Sequence, residues 1–134
     1  MVLVDSSVWI DYFNGCSTSQ TDALDVLLGS DLVVIGDLIL TEVLQGFRTD
    51  EDFRSARELL DPLDLRILGG RDVALAAAEH YRALRRRGVT VRKTIDVIIG
   101  TYCIMHQLPL LHADRDFDPM VRHLRLISYE SLNP

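Results

Sequence analysis

The segment Val2-Leu3-Val4-Asp5-Ser6-Ser7-Val8-Trp9-Ile10 changes character at Asp5. Before it stands a short apolar, β-branched run that reads as a buried strand. After it, Ser6 or Ser7 can cap a helix reaching Tyr12, with Asn14-Gly15 as the stop signal. The same alternation recurs downstream. Ala23, Leu24, Leu27 and Leu28 fall at helical spacing between Thr21 and Leu28, and Leu32-Val33-Val34-Ile35 is the next apolar run. Helical patterns from about Asp37 to Gly46 and from Asp50 to Leu60 precede a third strand at Leu65–Leu68. An alanine-rich helix from Asp72 to Arg87 closes at Gly88, with arginines in its last turn, where the helix dipole favours them. A helix from Thr94 or Ile95 to about Gln107 then leads to strands at Leu108–Leu111 and Leu124–Ile127. Short apolar strands alternating with helices imply an α/β fold: a three-layer α/β/α sandwich around a mostly parallel five-stranded sheet, in one domain over residues 1–134.

Composition narrows the function classes. The chain has 134 residues, 48% of them hydrophobic, enough for one core without disulfide or metal staples. No apolar run reaches the roughly eighteen residues of a membrane span. Met1 to Asp5 lacks a basic leader, and Asp5 breaks the apolar stretch too early for a signal peptide, so a cytoplasmic protein is expected. Cys16 and Cys103 form no metal-binding spacing and are expected as free thiols, Cys103 as core packing. The net charge of −6 disfavours broad phosphate binding, yet six of the fourteen basic residues crowd into Arg82–Lys93. That fits a phosphate-binding rim beside an acidic site, and equally a solvated helix end.

The acids are more informative. Ligands of open α/β sheets sit outside the carboxyl ends of the strands. Asp5 follows the first strand, and Asp114 and Asp116 follow the Leu108–Leu111 strand in His112-Ala113-Asp114-Arg115-Asp116-Phe117. Asp96 and Glu42 lie early in helices, Asp96 in Thr94-Ile95-Asp96 and Glu42 in Leu40-Thr41-Glu42-Val43-Leu44. Taken singly, Asp96 can serve the helix dipole, Asp114 or Asp116 a turn, and Glu42 an exposed face. Those bland roles do not explain why all fall on one edge. Clustered carboxylates repel unless cations neutralise them, and hard oxygen ligands suit Mg²⁺ or Mn²⁺. Such ions activate water and stabilise charge on a scissile phosphate, with no need of a histidine base. The four histidines form no ligand-spaced pair, and His112, nearest the acids, is left without an assigned role.

With these residues in order, the chain resembles the PIN domain, and within it the VapC toxins of toxin–antitoxin pairs. The likeness rests on Val4-Asp5-Ser6-Ser7-Val8-Trp9-Ile10-Asp11, Leu40–Gly46, Thr94-Ile95-Asp96 and Ala113-Asp114-Arg115-Asp116-Phe117. It implies a Mg²⁺- or Mn²⁺-dependent endoribonuclease acting on structured RNA such as tRNA, a homodimer, and inhibition by a cognate VapB-like antitoxin. By position, Asp5, Glu42, Asp96 and Asp114 match the family's acidic quartet, with Asp5 and Asp96 as the most direct ligands. Asp116 matches an additional acid, and Ser7 a small polar residue that ligates water or substrate. The expected chemistry is metal-activated water attacking the phosphodiester, which leaves a 5′-phosphate and a 3′-hydroxyl.

Arg92 and Lys93, just before the Asp96 helix, are the favoured phosphate contacts. Trp9, Tyr12 and Phe13 can stack bases but fit a core or an interface better. Two other functions compete. A PIN-fold nucleic-acid-binding regulator with little turnover would need no complete acid set. A receiver-like signalling domain would need an aspartate after its third strand and a lysine after its fifth, and the sequence has neither.

Overall fold

All three residues of β1 (Val2–Val4) are buried, as a strand with parallel neighbours on both sides requires. The computed structural model describes residues 1–132. After β1 come α1 (Ser6–Phe13), α2 (Ser19–Gly29), β2 (Val33–Gly36), α3 (Asp37–Leu44), α4 (Asp50–Leu60) and β3 (Asp64–Arg66). The chain continues through α5 (Arg71–Arg86), α6 (Thr94–His106), β4 (Leu110–Leu111), a 3₁₀ turn at Arg115–Phe117, α7 (Asp118–Leu124) and α8 (Tyr129–Leu132).

The sheet runs β3-β2-β1-β4 and every pairing is parallel. Leu3 pairs with Val34 on one side and Leu110 on the other. The chain therefore travels outward from β1 to β3 and then returns to the far side of β1. That reversal leaves a crevice beyond the carboxyl ends of β1 and β4. A receiver-like domain has the strand order 2-1-3-4-5, so this topology excludes it.

Helices flank the sheet in two contacting groups, α1 with α2 and α3, and α5 with α6 and α7. Trp9 is fully buried on α1, stacks on Phe13 with centroids 5.9 Å apart and meets Tyr12 edge-on. Phe13 in turn contacts Phe47 edge-on. These rings, led by Trp9, pack against or within the core. Cys103 is buried, Cys16 is exposed, and both are free thiols. Among the described residues, no helix is long and apolar enough to cross a membrane.

Three expectations change. Among the described residues four strands form, not five. Leu124 ends α7, and Arg125 takes a left-handed conformation (φ 67°) that turns the chain back. Too few residues remain before α8 for a ladder, so the edge of β4 gains only an Ile127 carbonyl bonded to Leu110 N–H and a Leu110–Ser128 bridge. The third strand lies at Asp64–Arg66, displaced from Leu65–Leu68, because Leu68 leaves the ladder to be buried against Gly36. Finally, α1 is capped by Asp5 and not by a serine.

The Gly36–Leu68 contact fixes the junction from which α3 departs. A Cβ on Gly36 would lie 2.2 Å from Leu68 Cδ1 and 2.6 Å from its Cγ. Asp37 reinforces the junction by accepting from Leu38 N–H at 2.8 Å and Leu68 N–H at 3.0 Å. Gly36→Ala is expected to destabilise the fold by about 1–3 kcal/mol through overpacking, read as a lower urea midpoint. Gly100→Ala, whose Cβ meets the adaptable Met120 side chain, is expected to cost less in the same measurement.

Candidate active site

Asp5 leaves β1 directly into α1 and accepts two hydrogen bonds on Oδ2, from Ser7 N–H at 3.1 Å and Ser7 Oγ at 2.6 Å. An acid at the strand's end thus becomes the helix N-cap. Its other oxygen, Oδ1, is buried and has no hydrogen-bond partner among the described residues. Glu42 rides on α3, which the Gly36–Asp37 junction aims, and carries a buried unpartnered Oε1. Asp96 sits in the first turn of α6, only 4% exposed, with Oδ2 unpartnered. Asp114 caps the 3₁₀ turn by accepting from Asp116 N–H at 2.9 Å.

These four acids line one cleft of ≈ 280 Å³ with Ser6, Ser7 and Lys93, and Ile10 and Gln45 complete its wall. One oxygen from each of Asp96, Asp114 and Asp116 comes within 4.8 Å of the others. Asp116 does not line the cleft itself. Lys93 Nζ stands 3.8 Å from Asp114 Oδ2, a long and mostly exposed pair that contributes little stability.

Burial and mutual repulsion disfavour the charged forms. Burial pushes Asp96 up to about 7, Asp5 adds to this, Lys93 opposes it, and Asp114 and Glu42 push further. Asp5 is raised chiefly by burial, which outweighs the hydrogen bonds of Ser7 and Ser6. Glu42 is raised by burial and by Asp5, against Ser6 and Lys93. Three acids that each retain a buried unpaired oxygen form an anionic, all-oxygen donor set. Such a set fits a small hard divalent cation and not a soft one.

Of the residues expected at the site, Asp5, Glu42, Asp96, Asp114, Ser7 and Lys93 converge, with Asp116 just outside the cleft. Arg92 is exposed and does not line it. Arg82 and Arg85 lie along a different groove of ≈ 530 Å³, between α5 and α6, whose other walls are mostly apolar. Sequence reasoning did not single out Gln45 or Ile10 as site residues. Gln45, three residues past Glu42, had a signal in the helical spacing.

Fold and cleft together define a parallel α/β domain with carboxylates gathered at its topological switch point. The PIN domain profile matches residues 2–122, and the chain belongs to the PIN domain family. The ribonuclease VapC11 of Mycobacterium tuberculosis is 32% identical over 124 residues, covering 91% of this chain and 92% of that protein. Two solved structures share the fold. VapBC2 from Rickettsia felis, bound to a promoter DNA fragment, has a TM-score of 0.75 at 17% identity, with 96% of this chain and 97% of that chain covered. A toxin–antitoxin complex from Klebsiella pneumoniae has a TM-score of 0.69 at 20% identity, with 87% and 90% covered.

The raised Asp96 carboxyl has a consequence for stability. Between the ordinary carboxylate range and about pH 7 the folded state binds more protons than the unfolded one. The contribution of Asp96 is therefore fully present at low pH and is lost as pH rises through about 7. In metal-free buffer at about pH 8, Asp96→Asn is expected to stabilise the fold by on the order of 1–3 kcal/mol, a gain that vanishes below about pH 4. Added Mg²⁺ should raise the melting temperature of the wild type and leave that of Asp96→Asn nearly unmoved, both read by calorimetry.

Proposed function

We propose that this protein is a divalent-metal-dependent endoribonuclease, the toxin of a toxin–antitoxin pair, working as one cytoplasmic domain over residues 1–134. The observation that carries this reading is the convergence of Asp5, Glu42, Asp96 and Asp114 on one cleft, three of them with a buried unpaired oxygen. An acid-rich cleft with that deficit is costly to maintain for any purpose that leaves it empty. The name of the VapC11 relative supports RNA as substrate, and the toxin–antitoxin complex among the fold neighbours supports a VapB-like antitoxin partner. Structured RNA such as tRNA and a homodimeric state belong to the same reading and rest on the family likeness.

Asp5 and Asp96 would be the most direct ligands of Mg²⁺ or Mn²⁺, Asp114 would complete the ligand set with Asp116 acting from outside the cleft, and Glu42 would shape the site. The ion supplies a Lewis acid for the phosphate oxygen and lowers the pKa of a bound water. Ser7 has its hydroxyl proton committed to Asp5, so toward water or substrate it can only accept. Lys93, at the cleft, offers a phosphate contact, with Arg92 as an exposed neighbour further out. Ser7 and the backbone of α1 hold the Asp5 carboxylate in place for the attack.

The test is cleavage of tRNA-rich RNA by the purified chain, followed by sequencing of RNA ends. Cuts should require Mg²⁺ or Mn²⁺, stop with chelator, and carry 5′-phosphate and 3′-hydroxyl termini. Asp5→Ala and Asp96→Asn should each lower the rate at least about 100-fold. A 2′,3′-cyclic phosphate would instead mean attack by the ribose 2′-hydroxyl. Folded, antitoxin-free protein that binds RNA and leaves it intact would favour a nucleic-acid-binding regulator.

A further inference from the structure

His112 is the buried polar side chain beside the cleft that the proposed chemistry does not use. It follows β4, is 8% exposed, and packs against Phe117 with ring centroids 5.2 Å apart. Its Nδ1 lies 3.1 Å from the Asp114 carbonyl oxygen. A carbonyl only accepts, so Nδ1 carries the proton and donates. One residue earlier, Ala113 N–H donates to Ser7 Oγ at 3.2 Å, the same hydroxyl that donates to Asp5. The Ala113–Asp114 backbone is therefore held at both ends, by Ser7 toward β1 and by His112 toward β4.

We propose that His112 is a positioning residue that sets the place of Asp114 in a cation site through its Nδ1–H bond to the Asp114 carbonyl. The proposal rests on the reading of the cleft as a metal site. In the Nδ1–H tautomer of the neutral ring Nε2 is an acceptor, and it is buried with no partner among the described residues. An unpaired buried acceptor costs at least as much as one neutral hydrogen bond returns. A phenyl ring would fill the same space against Phe117 without that cost, so core packing does not account for an imidazole here. What the imidazole adds is a side-chain donor on the Asp114 carbonyl, shorter than the 3.3 Å bond that the same oxygen accepts from Phe117 N–H, while the Asp114 carboxylate is otherwise restrained by Asp116 N–H and the distant, exposed Lys93. Groups that hold a ligand from behind in this way control metal affinity without touching the metal.

The test is Mn²⁺ affinity of the full-length chain by titration calorimetry at one fixed pH, with the melting temperature of the metal-free protein measured alongside. His112→Phe keeps the ring and removes the donor. It should weaken Mn²⁺ binding by about 10–100-fold while leaving metal-free stability equal or higher. His112→Asn returns an N–H near the Nδ1 position and should stay within a few-fold of wild type. The similarly sized His112→Leu should fall with the phenyl variant. If His112→Phe does not fold, the Asn and Leu pair reads the same bond. Wild-type affinity in His112→Phe or His112→Leu, or an equal loss in His112→Asn and His112→Leu, would overturn the proposal. A wild-type protein that binds no Mn²⁺ would instead overturn the metal reading of the cleft.

Discussion

Carboxylates drawn into one cleft repel one another, and in this protein the sheet beneath them holds them there. β1 is paired on both sides and buried, so Asp5 at its end cannot drift outward to be solvated. Asp96 is fixed by the first turn of a helix that is itself largely buried. Burial first, and mutual repulsion in addition, displace all three of Asp5, Glu42 and Asp96 upward. Lys93 opposes it from an exposed position, where solvent screens its effect. The remaining compensation comes from hydrogen bonds, and these are concentrated on Asp5.

Asp5 shows how one side chain meets two demands. Its Oδ2 satisfies the N-terminus of α1 and takes the Ser7 hydroxyl, which anchors the carboxylate locally. Its Oδ1 has no hydrogen-bond partner among the described residues and remains free to meet a cation. Splitting the two oxygens between structure and chemistry allows a buried acid to be both rigid and reactive. The arrangement costs stability, as sites shaped for binding generally do. The long apolar contacts of Trp9, Ile39, Ile99 and Phe117, all fully buried, offset it.

Much of this was legible in the sequence because apolar strands followed at once by an acid or a helix leave a plain pattern. Asp5, Glu42, Asp96 and Asp114 were found from their places on that pattern, and the cleft joins them. What pattern could not give was pairing. Leu124-Arg125-Leu126-Ile127 alternates as a strand does, yet Arg125 turns the chain and only a single bridge forms. Leu68 reads as strand, and its burial instead comes from a contact with Gly36 far away in sequence. Likewise, Arg92 and Lys93 are neighbours in a non-repeating segment, where no period tells which one lines the cleft. Ser6 and Ser7 fit the pattern of a cap equally well, yet the acid before them takes the accepting role.

The pairing of β1 with β4 joins the two ends of the chain, Leu3 against Leu110 and Val4 against Leu111. Contacts so distant in sequence are late and slow to form. Asp5 and the loop bearing Asp114 and Asp116 therefore meet through this one pairing. A molecule in which β4 has opened has a divided set of acids. Opening at that one edge would disarm the cleft, so the integrity of two short strands sets the time for which the site exists.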